Sequence, residues 1–266
     1  MSHGPWLLAA DAGLNFDWDF LARSIFHPSG TFLHGLARTV YISVLAQLFG
    51  TLGGLAVALA RRSRWMPLRR AGATYVWLIR GTPLLVQLVI VYNGLAALNL
   101  YRFTDVTLGP VVILGVVQAA VLTLALNEAA YMAEIIRAAL DAIDVGQKEA
   151  AVALGMPPSM TMRLVLLPQA ARICVPPLGN EFNLMMKSTS LLSVIGLQEM
   201  FLTAQAINSA TFKTFEIFLT VAVYYLLLTT LWGFVQQWIE RKFEGPTAAV
   251  SSPRLRERLF AGAGAK

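Results

Sequence analysis

The 266 residues include a single cysteine, Cys174, so neither an intramolecular disulfide nor a thiolate cluster can form. Histidine is almost as scarce. His3, His27 and His34 all precede the first long apolar run, with no i, i+4 pairing or clustered carboxylates, so a metal site has no support. Charged residues make up only 14% of the chain, against about 25% in soluble domains. With a mean hydropathy of +0.61, this excludes a disordered chain and an ordinary soluble enzyme. Too few cations remain outside the apolar runs to form a nucleic-acid face. There is no G-x-x-x-x-G-K-[ST] loop, so the chain cannot supply the usual ATP site. There is no G-x-S-x-G either. A Ser190/Lys187 dyad is the one arrangement conceivable for an intramembrane hydrolase, but a lysine three residues away on a helix is more simply a packing or gate residue.

What is abundant is apolar sequence, at 56% of residues. Stretches of about 20 apolar residues bounded by charge predict an all-α polytopic membrane protein with about five spans. They lie at about Thr39 to Ala60, Ala71 to Ala97, Pro110 to Ile136, Pro176 to Phe201 and Phe215 to Ile239. The second is interrupted by Arg80-Gly81-Thr82-Pro83 and also reads as a cytoplasmic-side helix plus a shorter span. The first cation is Arg23, so no cleavable leader is read and the first span is expected to do the targeting.

Fifteen of the 21 cations fall on one side of these spans. They lie between Arg61 and Arg70, between Arg137 and Arg172, and from Arg241 onward. The other side holds Arg23, Arg38, Arg102 and Lys213. The positive-inside rule then puts the N-terminus outside and the C-terminus in the cytoplasm, so the basic pI of 9.7 reports topology. Residues 1–34 read as an outer interfacial lead-in and 244–266 as a mobile cytoplasmic tail, with the membrane domain between at 35–243.

The loop at 137–172 is the most informative stretch. Asp144 can cap a helix, with Gln147 three residues on as in a capping box. Gly155 suits a left-handed C-cap, and Pro157-Pro158 forbid continuation. Ser159 can cap a second helix, Met160 to Leu167, which Pro168 ends or kinks. Two short helices beneath the membrane are expected.

Glu149-Ala150-Ala151, then Gly155, then Val165-Leu166-Leu167-Pro168 closely resembles the EAA motif of ATP-binding-cassette importer permeases, with Val165 in place of the usual Ile. Five further segments resemble the polar amino-acid branch, the histidine- and glutamine-type permeases. They are Arg80-Gly-Thr-Pro-Leu-Leu-Val-Gln87, Ala130-Tyr-Met-Ala-Glu-Ile-Ile-Arg137, Gly146-Gln-Lys-Glu-Ala-Ala151, Pro168-Gln-Ala170 and Lys187-Ser-Thr-Ser-Leu191. Ala138-Ala139 departs from the Gly-Gly of many relatives. The resemblance covers about Gly35 to Phe243.

It implies a type I importer transmembrane domain acting with two ATPase subunits that bind ATP-Mg, a second permease subunit (the same or homologous) and an extracytoplasmic solute-binding protein. The cargo would be a polar amino acid, carried across the bacterial inner membrane by alternating access. This chain would hold no cofactor and catalyse no covalent chemistry. Its cytoplasmic loop would dock the ATPase through Glu149, Ala150, Ala151 and Gly155, with Arg163 as a charged contact and Pro168 closing the motif. A passive channel would have no reason to keep such a loop.

Polar residues inside spans are costly and face a cavity or a partner. Thr123, Asn127, Tyr131 and Glu134 share one helical face, and Asn180, Asn183, Lys187 and Ser190 share another. Gln87 and Asn93 add a third donor set, and Glu128 lies about 100° from Asn127. Gln87, Asn127, Glu128, Tyr131, Asn183, Lys187 and Ser190 are the candidates for a substrate path, with interhelical bonding the competing role for Asn127 and Asn183. An ion pair is expected between Glu134 and Arg137, and Lys187 and Arg80 could pair with Glu181 or Glu128. Gly50 and Gly54 read as a helix-packing device. Pro83 and Pro176-Pro177 are expected to break or bend helices.

Overall fold

The computed structural model describes residues 16–243. The proposed tail at 244–266, and the first fifteen residues of the lead-in with His3, lie outside the described residues.

Helix α1 (Trp18–Phe26) starts where the Asp17 carboxylate accepts from the Phe20 amide at 2.8 Å. The same carboxylate pairs with Lys213 at 3.2 Å, and the Asp17 amide donates to Glu216 at 2.8 Å. The Phe20 amide first and then the Lys213 ammonium hold the Asp17 carboxyl below the usual carboxylate range, so it is charged at neutral pH. These bonds strap α1 across the start of the last helix.

Helix α2 (Gly30–Arg61) is capped by Ser29 and begins inside the stretch assigned to the lead-in. Its 32 residues reach about 48 Å at 1.5 Å per residue, well beyond a hydrocarbon core of about 30 Å. Helices α3 (Met66–Arg80) and α4 (Leu84–Val89) follow. A turn of π-helix at Ile90–Gly94 and α5 (Leu95–Ala97) complete that arm. The two arms, Met66–Arg80 and Leu84–Ala97, meet at 106°. The second apolar run is therefore a broken element, with Pro83 at the break as expected.

The third run starts later than its hydropathy suggests. Strands β1 (Val106–Leu108) and β2 (Val111–Ile113) form an antiparallel hairpin with Leu108 opposite Val111. Gly109 takes a φ of +60° in the two-residue turn, ahead of Pro110. Helix α6 (Gly115–Asp141) begins only after this hairpin, where Asp105 accepts from the Gly115 amide.

In the loop, α7 (Val145–Ala153) is capped by Asp144, whose carboxylate accepts from the Gly146 amide at 2.7 Å. The reciprocal half of the capping box is absent, because Gln147 instead accepts from Gln169. Gly155 takes a φ of +75°, the left-handed conformation expected after this helix.

The second loop helix is not a separate element. Helix α8 (Pro158–Met160) runs through a π turn at Thr161–Leu166 into α9 (Leu167–Ser188). Ser159 does not cap it, since Pro157 holds the N-cap position. Pro168 does not end it, because the preceding π turn shifts the hydrogen-bond register where the ring removes a donor. Pro176 and Pro177 also sit inside continuous α9. The Pro176 carbonyl accepts from Gln236 and the Gly179 carbonyl from Trp232, so the final helix supports the backbone around this double proline.

A 3-10 turn at Thr189–Ile195 ends at Gly196, and α10 (Met200–Thr211) departs at 53°. Glu199, fully buried, caps α10 by accepting from the Phe201 and Leu202 amides. Thr39 of α2 donates to the same carboxylate, tying the bend to α2. Helix α11 (Thr214–Phe243) is the last described element.

Among the described residues, three helices (α2, α6 and α11) are long and apolar enough to cross a membrane, and the spans number up to five with each bent pair taken as one. Apart from the hairpin, the described residues form an all-α body. Side chains such as Phe49, Leu52, Leu226 and Phe234 are exposed along the spans, the outward apolar surface that lipid requires.

The central seam is α2 against α6. A Cβ at Gly50 would lie 2.5 Å from Glu128 Cβ, and one at Gly54 would lie 2.4 Å from Met132 Cβ. Both glycines thus let two long helices approach to backbone distance, as their spacing suggests. Replacing Gly54 by Val should overpack this seam at a cost of about 1–3 kcal/mol. Thermal unfolding in detergent should show a lowered Tm, whereas Gly233→Val, where nothing lies within 4 Å, should leave it nearly unchanged.

Candidate functional site

The 106° bend between α3 and α4 opens a cavity of about 540 Å³ against α6 and α9. Arg80, Thr82 and Pro83 of the break, Asn127, Glu128 and Tyr131 of α6, and Glu181, Met185 and Ser188 of α9 contribute to its lining.

A break in a span frees backbone carbonyls that lipid cannot satisfy. Here the Gln87 amide nitrogen donates to the carbonyls of Ile79 and Thr82, at 2.7 and 3.1 Å, and lies 2.8 Å from the Thr82 hydroxyl. Its carbonyl accepts from the Asn127 amide at 3.0 Å. Gln87 therefore fixes the geometry of the break and ties it to α6. It lies behind the cavity rather than in its lining, and Asn127 both lines the wall and anchors Gln87.

The Arg80 guanidinium sits 5.1 Å from the centroid of the Tyr131 ring, a cation–π contact. Neither Arg80 nor Lys187 makes an ion pair among the described residues, so the pairing with Glu181 or Glu128 suggested by the sequence is not formed. Glu128 is 4% exposed and accepts from the Gln47 amide of α2 at 2.8 Å. The cavity wall thus carries an exposed cation, the half-buried Glu181 and the buried Glu128 around several neutral hydrogen-bonding groups.

The candidates on α9 fall elsewhere. Asn183, Lys187 and Ser190 do not line this cavity. Asn183 has a buried carbonyl oxygen without a partner, Lys187 is exposed, and the Ser190 hydroxyl donates to the Lys187 carbonyl at 2.8 Å. That last bond occupies the serine of the Ser190/Lys187 dyad. Glu181, Met185 and Ser188 form the face that meets the cavity, rotated one residue, or about 100°, from the row of Asn180 and Asn183. Thr123 turns its hydroxyl to the Ala119 carbonyl, and Asn93 is exposed in the π turn after α4. Glu134 pairs with Arg137 as expected, and also with Arg61 of α2, a partner the sequence spacing could not indicate.

In the loop, Glu149, Ala150, Gly155, Arg163 and Pro168 are exposed. Ala151 is 3% exposed and faces its own chain, where α7 packs on the π turn before α9. Its side chain is therefore not offered to a partner surface in this structure.

Broken and unbroken spans around a cavity lined by both apolar and charged side chains define a membrane transport subunit with the type I ABC importer transmembrane fold. Residues 50–245 match the family described as binding-protein-dependent transport system inner membrane component, and the chain belongs to that family. The glutamine transport system permease protein GlnP of Escherichia coli is 35% identical over 231 residues, covering 87% of this chain and 99% of that one. The L-cystine transport system permease protein TcyB of Bacillus subtilis is 38% identical over 241 residues, covering 90% and 96%. Among solved structures, an amino acid ABC transporter with histidines superposes with a TM-score of 0.74 at 38% identity, covering 85% of this chain and 99% of that chain. The MetNI methionine ABC transporter shares the fold, with a TM-score of 0.65 at 20% identity, covering 81% and 97%.

Gln87→Leu removes the donor that satisfies the break. The freed carbonyls should cost about 1–3 kcal/mol. The variant should show a lowered Tm in detergent, whereas Lys187→Gln, at an exposed position, should match the wild type.

Proposed function

We propose that this chain is the permease subunit of an ATP-binding-cassette importer and that it carries a polar amino acid inward by alternating access. The observation that carries the reading is the cavity at the α3–α4 break, whose lining includes the opposite charges of Arg80, at the break, and Glu181, on α9. A zwitterion needs both. The guanidinium suits the carboxylate of the cargo, and the Glu181 carboxylate suits its ammonium. Thr82, Asn127, Tyr131 and Ser188 supply neutral donors and acceptors between them. The relatives GlnP and TcyB, permease proteins of glutamine and L-cystine transport systems, support an amino acid as cargo.

The energy comes from two separate ATPase subunits that hold ATP-Mg, with a second permease subunit and an extracytoplasmic binding protein completing the transporter. The ATPase docks on the loop around α7. Glu149, Ala150 and Gly155 are exposed there beside Val152 and Leu154, apolar side chains 62% and 81% exposed. Arg163 adds a cation on the following turn, and Pro168 sets the register in which the loop joins α9. The cation distribution supports an external N-terminus and a cytoplasmic C-terminus in the inner membrane.

Reconstitution of the assembled transporter in proteoliposomes tests this reading. Uptake of a labelled amino acid should require both ATP and the binding protein. Arg80→Gln or Glu181→Gln should reduce it at least about tenfold, a change of about 1.4 kcal/mol, with assembly unchanged. Gly155→Leu should leave assembly intact and uncouple hydrolysis from uptake. Uptake without ATP would contradict the reading, as would cavity variants with wild-type rates.

A further inference from the structure

The turn from α2 into α3 carries a charge pattern that transport does not use. Five arginines fall within ten residues, at 61, 62, 64, 69 and 70, and Asp105 is the only acidic residue from there to Asn127. Arg61 pairs with Glu134, and Arg62 pairs with Asp141. Arg64, Arg69 and Arg70 are exposed and make no ion pair among the described residues.

Helix α3 turns a narrow stripe inward. Gly72 and Val76 are its buried residues, with Gly72 set against Arg61 and Val57 of α2. The opposite face carries Arg70 and, seven residues and about 20° further round, Trp77, while Arg69, three residues ahead of Gly72, is exposed in the first turn at the edge of the buried stripe. Trp77 is 74% exposed, and Trp65, in the turn ahead of the helix, is 71% exposed. The outward face therefore passes from guanidinium to indole over about 10 Å of helix. That is the profile of a helix lying where headgroups give way to acyl chains.

We propose that Arg64, Arg69 and Arg70 form a binding site for the headgroup of an anionic phospholipid, with Trp65 and Trp77 seated at the acyl boundary. Guanidinium groups bind phosphate oxygens bidentately, and an anionic headgroup complements three cations that make no ion pair among the described residues. An acidic protein surface would match the charge. It would not match the exposed Trp77 and Leu78 that continue from the charge along the same helix. The site rests on the reading that this turn lies at the membrane surface, and not on the identity of the cargo.

Native mass spectrometry of the assembled transporter, equilibrated with phosphatidylglycerol and phosphatidylcholine in equal amounts, tests the proposal. The wild type should retain phosphatidylglycerol preferentially. R64Q/R69Q/R70Q should lose that preference by about tenfold or more, since each basic residue at an anionic surface contributes to binding. R64K/R69K/R70K, which keeps the charge, should retain part of it. Single R69Q and R70Q variants carry the same test in smaller steps if the triple variant does not assemble. An unchanged preference in the glutamine variants would overturn the site, as would a wild type without preference. Loss of the ATPase subunit with lipid retention intact would assign the patch to a protein instead. The readout is lipid retention, so a failed uptake assay would leave this result standing.

Discussion

The close approach of α2 and α6 is the constraint around which the other elements are arranged. Two helices of 32 and 27 residues can meet at backbone distance only if one of them lacks side chains along the seam. Gly50 and Gly54 provide that. The gap at Gly50 is filled by the stem of Glu128, whose carboxylate then meets Gln47 of α2. Toward Arg61 the seam ends in an ionic network in which Arg61 and Arg137 share Glu134, while Asp141 meets Arg137 and Arg62. Helix α3 folds back on this pair, α9 packs on α6, and α10 packs on α2.

The cavity is a consequence of a second constraint. Where Pro83 stops one helix and starts another at 106°, lipid cannot hydrate the freed carbonyls, so the chain must supply its own donor. Gln87 does so from one turn inside α4, and Asn127 holds Gln87 in turn. The same bend brings Arg80 over Tyr131 and across from α9. Polar residues that hold the break and polar residues that line the cavity are thus interleaved in a few ångströms. A polar residue within a span does not by itself announce which role it has.

That interleaving explains what could be read from the sequence. Spans are legible because apolar length between charges is a one-dimensional signal, and Pro83 announces its break. The hairpin at 106–113 was hidden, since its apolar strands extend the hydropathy of α6. Pro168, Pro176 and Pro177 do not end their helix, for a different reason. Whether a proline ends a helix depends on register shifts and on partners such as Gln236 and Trp232, about 60 residues away. On α6, helical periodicity led to Asn127 and Tyr131. On α9 the polar row through Asn183, Lys187 and Ser190 faced away from the cavity, and Glu181 was visible only as an ionisable residue within a span. The tie between Arg61 and Glu134 had no local signature.

The central claim is that the cavity at the α3–α4 break is the amino acid's path. Ser188→Cys in a Cys174→Ala background tests it most directly, because Ser188 lines the cavity and Cys174 is the only native thiol of this chain. In the assembled transporter, the account predicts that a water-soluble methanethiosulfonate reagent modifies this thiol and that transported amino acid slows the modification. The reaction of a thiol at Lys187, exposed outside the cavity, should not be slowed. A thiol at position 188 that stays unreactive, or that reacts equally fast with and without the cargo, would contradict the account.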